Sequence, residues 1–226
     1  MIDGIEIRGK ILAQQSESTF ESCILSCSNN KLIGGNRLKK SCQSAQYEKL
    51  KKRCTLFDET ISPTGKAQYK PNLNVAYVQK ICLRKSLADQ CSGSLRRVPQ
   101  YILVGLATSI IDVTKYELCL EKCLQSLELF GFECRSVIYF HEYLTANCIL
   151  NTHSAITKPS HFTAEFELKV DYIEMKNCSS ELIYNFYFNI LYILFYLKYE
   201  IMDKSRIKLS FIVHSSDFDE IFAVIG

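Results

Sequence analysis

The apolar residues of this chain follow two rhythms. Around residues 116–127, Leu120, Leu124 and Leu127 recur at helical spacing behind a polar, charged start, which predicts a helix with one apolar flank. Downstream the rhythm changes. Ser136-Val-Ile-Tyr-Phe140, Cys148-Ile-Leu150, Phe162-Thr-Ala-Glu-Phe166 and Lys169-Val-Asp-Tyr-Ile173 place β-branched and aromatic residues at alternating positions, the mark of short strands. Gly131 and Thr145-Ala-Asn147 suit turns. One helix laid across a small antiparallel sheet is the economical reading, an α+β module of about 90 residues.

The cysteines show that this module occurs twice. From Cys23 the gaps to the next four are 4, 15, 12 and 28, and from Cys119 they are 4, 11, 14 and 30. The residues between agree at independent points. Ser18-Thr-Phe-Glu21 and Thr114-Lys-Tyr-Glu117 each fit a capping box just before a Cys-x3-Cys pair, which four-residue spacing sets on one helical face. Cys42-Gln-Ser44-Ala-Gln-Tyr47 matches Cys134-Arg-Ser136-Val-Ile-Tyr139, and Cys54-Thr-Leu56 matches Cys148-Ile-Leu150. Each copy then carries a proline, Pro63 or Pro159. Each closes on a Val-x-Tyr strand, Val75-Ala-Tyr77 before Cys82 and Val170-Asp-Tyr172 before Cys178.

Composition narrows the setting. Eleven cysteines in 226 residues is a density expected of secreted proteins, and 47% apolar residues argue against general disorder. Net charge is only +3, and the short basic run Lys49-Leu-Lys-Lys-Arg53 lacks interleaved aromatics, so it reads as a solvated face and no nucleic-acid partner is expected. A module this small has a modest core and usually needs covalent staples. Spacing alone leaves fifteen ways to pair six cysteines.

The helical Cys-x3-Cys, Phe132-Glu-Cys-Arg-Ser136, Cys148-Ile-Leu-Asn151 and Val170-Asp-Tyr172 ending on Asn177-Cys178 together resemble the PAN/apple domain. More narrowly, they resemble the tandem copies found in cuticle and apical-matrix proteins of nematodes and other moulting animals. The resemblance implies a curved antiparallel sheet cradling one α-helix, with six cysteines paired first to sixth, second to fifth and third to fourth. Carried onto residues 91–178, a complete module, it gives Cys91–Cys178, Cys119–Cys148 and Cys123–Cys134. On residues 1–82 it gives Cys23–Cys54 and Cys27–Cys42 and leaves Cys82 unpaired, in a module lacking its first cysteine. The equivalent of Cys91 would lie about five residues before Met1, because Gly9 precedes Cys23 by 14 positions as Gly105 precedes Cys119 by 14. Together with the absence of a signal peptide, this leads to the expectation of an N-terminally truncated, longer secreted protein.

Residues 179–226 change character. They hold no Cys or Pro, and Ile, Phe, Tyr, Asn and Lys fill 24 of 48 positions. The segment 182–197 is apolar but short and interrupted by Asn185 and Asn189; it reads either as a membrane anchor, as translated non-coding sequence or as a short buried helix. The sequon Asn177-Cys-Ser179 has its middle residue in the terminal disulfide that the resemblance implies, and Asn177 is read as ordinary surface.

Metal and catalytic chemistry are not expected, and no cofactor is. The dispersed single cysteines lack the paired knuckles of a zinc site, and His141, His153 and His161 belong to one copy only and read as surface or strand-edge residues. What remains is a non-catalytic extracellular module binding protein or glycan, as the resemblance implies for matrix proteins, or the recognition part of a larger secreted protease or receptor. Arg135, His141, Glu142 and Tyr143, near the strand after the helix, are the candidate exposed contacts.

Overall fold

The computed structural model describes residues 1–176 and 178. The tail 179–226, its segment 182–197 and Asn177 lie outside the described residues. In the first module, strands β1 (Ile2–Arg8) and β2 (Ile11–Gln15) precede helix α1 (Phe20–Asn29), and β3 (Ser44–Glu48), β4 (Arg53–Phe57) and β5 (Gln68–Gln79) follow it. They form one antiparallel sheet in the order β1-β5-β3-β4-β2. A linker turn, α2 (Lys85–Ala88), leads to the second module: β6 (Arg96–Pro99), β7 (Tyr101–Leu103), β8 (Ser109–Ile111), α3 (Tyr116–Leu124), α4 (Ser126–Phe130), β9 (Ser136–Phe140), β10 (Cys148–Asn151), β11 (Phe162–Ala164) and β12 (Val170–Glu174). Its main sheet has the order β6-β12-β9-β10-β8, position for position that of the first module.

Register repeats as well. Tyr47 lies opposite Cys54 and Ala76, and Tyr139 lies opposite Cys148 and Asp171. Both faces of each central sheet are covered, so the strands bury successive residues rather than every second one. On one face α1 packs Cys23 and Cys27 against Ala45, Cys54 and Leu56, and α3 packs Cys119, Leu120 and Cys123 against Val137, Cys148 and Leu150. On the other face of the first module Phe57, Ile61 and Tyr77 cluster. In the second, Ile138, Val170 and Tyr172 are roofed by a small ribbon of β7 and β11, with Phe162 edge-on to Tyr172 at 4.8 Å. This explains why the strand expected over residues 162–166 is only three residues long: it serves the roof and never joins the main sheet.

The helix starts depart from expectation. In α1 the cap is Thr19, whose hydroxyl accepts from the Ser22 N–H at 3.1 Å while the Ser22 hydroxyl accepts from the Thr19 N–H at 2.9 Å. Ser18 is instead buried and gives its carbonyl to the Tyr47 hydroxyl. The α3 start has Lys115 at the cap and no side-chain cap bond. What the two starts share is an aromatic first residue: Phe20 meets Tyr47 edge-on at 5.9 Å, and Tyr116 meets Tyr139 edge-on at 5.4 Å. The apolar flank of the second helix also ends early, since Leu127 falls in α4 and is exposed. Gly131 closes α4 with φ +75, a left-handed conformation natural to glycine.

Candidate binding surfaces and a buried ion network

The disulfides set the scaffold. Cys23–Cys54 and Cys119–Cys148 pin each helix to the strand β4 or β10 beneath it, and Cys27–Cys42 and Cys123–Cys134 close the loop that follows each helix. Cys91–Cys178 joins the two ends of the second module, and Cys82 is exposed and unpaired. Loops of 11 to 31 residues closed this way are each worth about 3 kcal/mol in the chain-entropy model.

The residues expected to make contacts do not gather in one place. Arg135 precedes the five-residue β9 and His141 follows it, six positions or about 20 Å apart. Arg135 is exposed, pairs with Glu133 at 2.9 Å, and lines a hollow of about 220 Å³ with Ser154, Thr157 and Lys176. At the opposite end, Glu142 pairs with Lys169, and the exposed ring of Tyr143 stacks on Phe140 at 5.3 Å.

His141 is a correction to the expected exposure. Its side chain is only 11% exposed, and Nε2 lies 2.6 Å from the Asp171 carboxylate. An ionised carboxylate only accepts, so the imidazole donates from Nε2. The other oxygen of Asp171 lies 2.7 Å from Arg97 Nε, with both side chains buried. That contact misses hydrogen-bond alignment, so it acts through charge more than through a directed bond. Arg97 also donates to Gln79 at 3.1 Å, reaching from β6 to the last residue of β5. Burial pushes the Asp171 carboxyl up, but the His141 hydrogen bond and the Arg97 charge outweigh it and hold it below the usual carboxylate range. Sequence reading passed over Asp171 and Arg97. The signal available was the carboxylate inside Val170-Asp-Tyr172, where the first module has Ala76.

Two further histidines lie among the described residues. His153 offers its carbonyl to the Ser136 hydroxyl at 2.7 Å, and His161 Nδ1 lies 3.0 Å from the Val104 carbonyl. Among the described residues, no group of three or more His, Cys, Asp or Glu side chains is placed to hold a metal ion, and no helix is long and apolar enough to cross a membrane. The modules meet along the linker. Leu87 is buried in the second module's core, and Arg84 grips Glu121 of α3 through Nε and its backbone N–H, both at 2.8 Å. An apolar cleft of about 240 Å³ opens there between Ile24, Val78, Ile81 and Leu95.

Two helix-bearing antiparallel sheets, repeated in register and stapled by helix-to-strand disulfides, define a tandem α+β module protein. The PAN domain model matches residues 2–82 and 91–178, and the chain belongs to the PAN domain family. Over 155 residues, 68% of this chain, it is 38% identical to Uncharacterized protein F52C9.5 of Caenorhabditis elegans; the match spans 24% of that relative's length. A solution structure of the two N-terminal apple domains of Toxoplasma gondii microneme protein 4 aligns with 79% of this chain and 90% of that one. Its identity is 12% and its TM-score 0.27, too loose to support structural argument. PAN/apple modules are typically non-catalytic and commonly bind protein or carbohydrate.

Proposed function

We propose that the chain is a non-catalytic extracellular binding protein whose tandem modules, residues 1–82 and 91–178, hold protein or carbohydrate in a cuticle or apical matrix. The observation that supports this most is the five-disulfide framework, which persists in oxidising compartments and keeps surface side chains on rigid supports. Arg135 brings a charged donor to the rim of a hollow, and Tyr143 brings a flat ring backed by Phe140. Such a ring covers area at low entropic cost, against a sugar face or an apolar side chain.

The test is binding of the full chain, produced through a secretory pathway, to a glycan array and to solubilised matrix protein. Arg135→Ala and Tyr143→Ala should each weaken the strongest interaction. Unchanged binding by both variants would remove both strand ends from consideration, and an absence of any glycan or matrix partner would refute the reading.

A further inference from the structure

The loop after the helix is closed by a disulfide in both modules, yet the two loops have opposite chemistry. Between Cys27 and Cys42 there are four cations, Lys31, Arg37, Lys39 and Lys40, and no carboxylate. Between Cys123 and Cys134 there are two carboxylates, Glu128 and Glu133, and no cation. Shared topology does not impose this contrast, because the loops occupy the same position in the same fold.

The basic loop is also shaped. An isolated antiparallel bridge sets Lys31 across from Arg37, a like-charge juxtaposition that is unfavourable by itself. Among the described residues Lys31, Arg37 and Lys39 have no carboxylate partner, and only Lys40 has one, Asp58 at 2.8 Å. The side chains border an open hollow of about 400 Å³ with Asn29 and Ser41, which add neutral polar groups. The Asn30 carboxamide accepts from the Cys42 N–H at 2.7 Å, fixing the loop's closing end next to the disulfide.

We infer that the disulfide-closed loop 27–42 of the first module binds a linear sulfated polysaccharide. Cations held near one another by covalent closure and unneutralised by the protein form a preorganised counter-surface for closely spaced anions, whose binding releases counterions. The loop has no aromatic residue on which a base could stack, which favours a glycan over a single-stranded nucleic acid. This site is separate from the strand ends of the second module, so it stands or falls independently of the face proposed there.

The experiment titrates the full chain with a size-fractionated heparin oligosaccharide and its desulfated counterpart at several salt concentrations. The expected result is binding of the sulfated form only, with log affinity falling linearly with log salt. Replacing Lys31, Arg37 and Lys39 together by Ser should weaken it about tenfold or more and flatten the salt slope. A control lacking Lys66, Lys115 and Lys158, all exposed and outside both surfaces, loses the same net charge and should bind within about twofold of the parent. If the triple variant does not fold, Lys39→Glu, a single exposed change, carries the same expectation. Equal weakening in the control, failure to discriminate sulfation, no binding, or tighter binding to single-stranded DNA or anionic vesicles would each overturn the assignment.

Discussion

Ser44 and Ser136, separated by the length of a module, make the same bond. Ser44 Oγ donates to the Glu59 carbonyl at 2.5 Å and Ser136 Oγ to the His153 carbonyl at 2.7 Å, in each case five residues past the helix-bonded cysteine of β4 or β10, Cys54 or Cys148. Each serine is fully buried, as is the tyrosine of each Val-x-Tyr strand, Tyr77 or Tyr172. The repeated Cys-x-Ser is thus a device for fastening the loop after the hairpin.

Removing either hydroxyl leaves a part-buried carbonyl without its donor. Ser44→Ala and Ser136→Ala should each cost about 1–3 kcal/mol in denaturant unfolding. Ser136→Ala should sit at the higher end, because Asn151 Nδ2 also donates to Ser136 Oγ at 3.2 Å.

The staples give a second expectation. Mass mapping of a non-reduced digest should find Cys119 joined to Cys148 and Cys123 to Cys134. Replacing Cys119 and Cys148 together by Ala should lower stability by about 3–4 kcal/mol, since the loop closed has 29 residues. Free thiols with bound zinc at these four positions would contradict the fold.

Acid should act through Asp171. Its folded-state carboxyl is held below the ordinary range, so its contribution is complete above the unfolded value and fades as pH falls through the folded one. Asp171→Ala should therefore cost about 3–5 kcal/mol near neutral pH, because it strands the buried Arg97. The gap between parent and variant melting curves should narrow steadily below about pH 4. A gap independent of pH would show that Asp171 acts through packing alone.

Alkali should act through tyrosine. Burial pushes the Tyr172 hydroxyl up to about 12, and burial also raises Tyr77 and Tyr116. A raised folded-state value gives stability that is present below pH about 10 and lost as pH climbs toward the folded value. Absorbance titration should show these tyrosines ionising only with alkaline unfolding. Tyr172→Phe should remove part of that sensitivity, and should strand the Ala155 N–H that the hydroxyl accepts at 2.7 Å.

What was legible in the sequence was what a repeat can display. The intervals of cysteine, the Cys-x-Ser-x-x-Tyr motif and the alternation over residues 136–140 and 169–173 each leave two copies or a period, and the α+β architecture follows from them. The strands β1 and β2 were missed because they are edge strands, and β2 buries no residue fully to mark a face. The caps misled because Ser18 and Thr19 are chemically equivalent candidates, and only the chain's path decides which hydroxyl meets the helix. His141 and Asp171 stayed hidden for a different reason. Thirty residues separate them, and nothing local to either announces the pair.

Cys91 and Cys178 stand with their Cα atoms 3.9 Å apart and 87 positions between them in sequence. Stretched out, that much chain would reach roughly 300 Å. Tension applied at these two residues passes through one covalent bridge and leaves the sheet and helix between them slack. The second module is thus inextensible while its surroundings are oxidising, and reduction would release its hidden length into the load path.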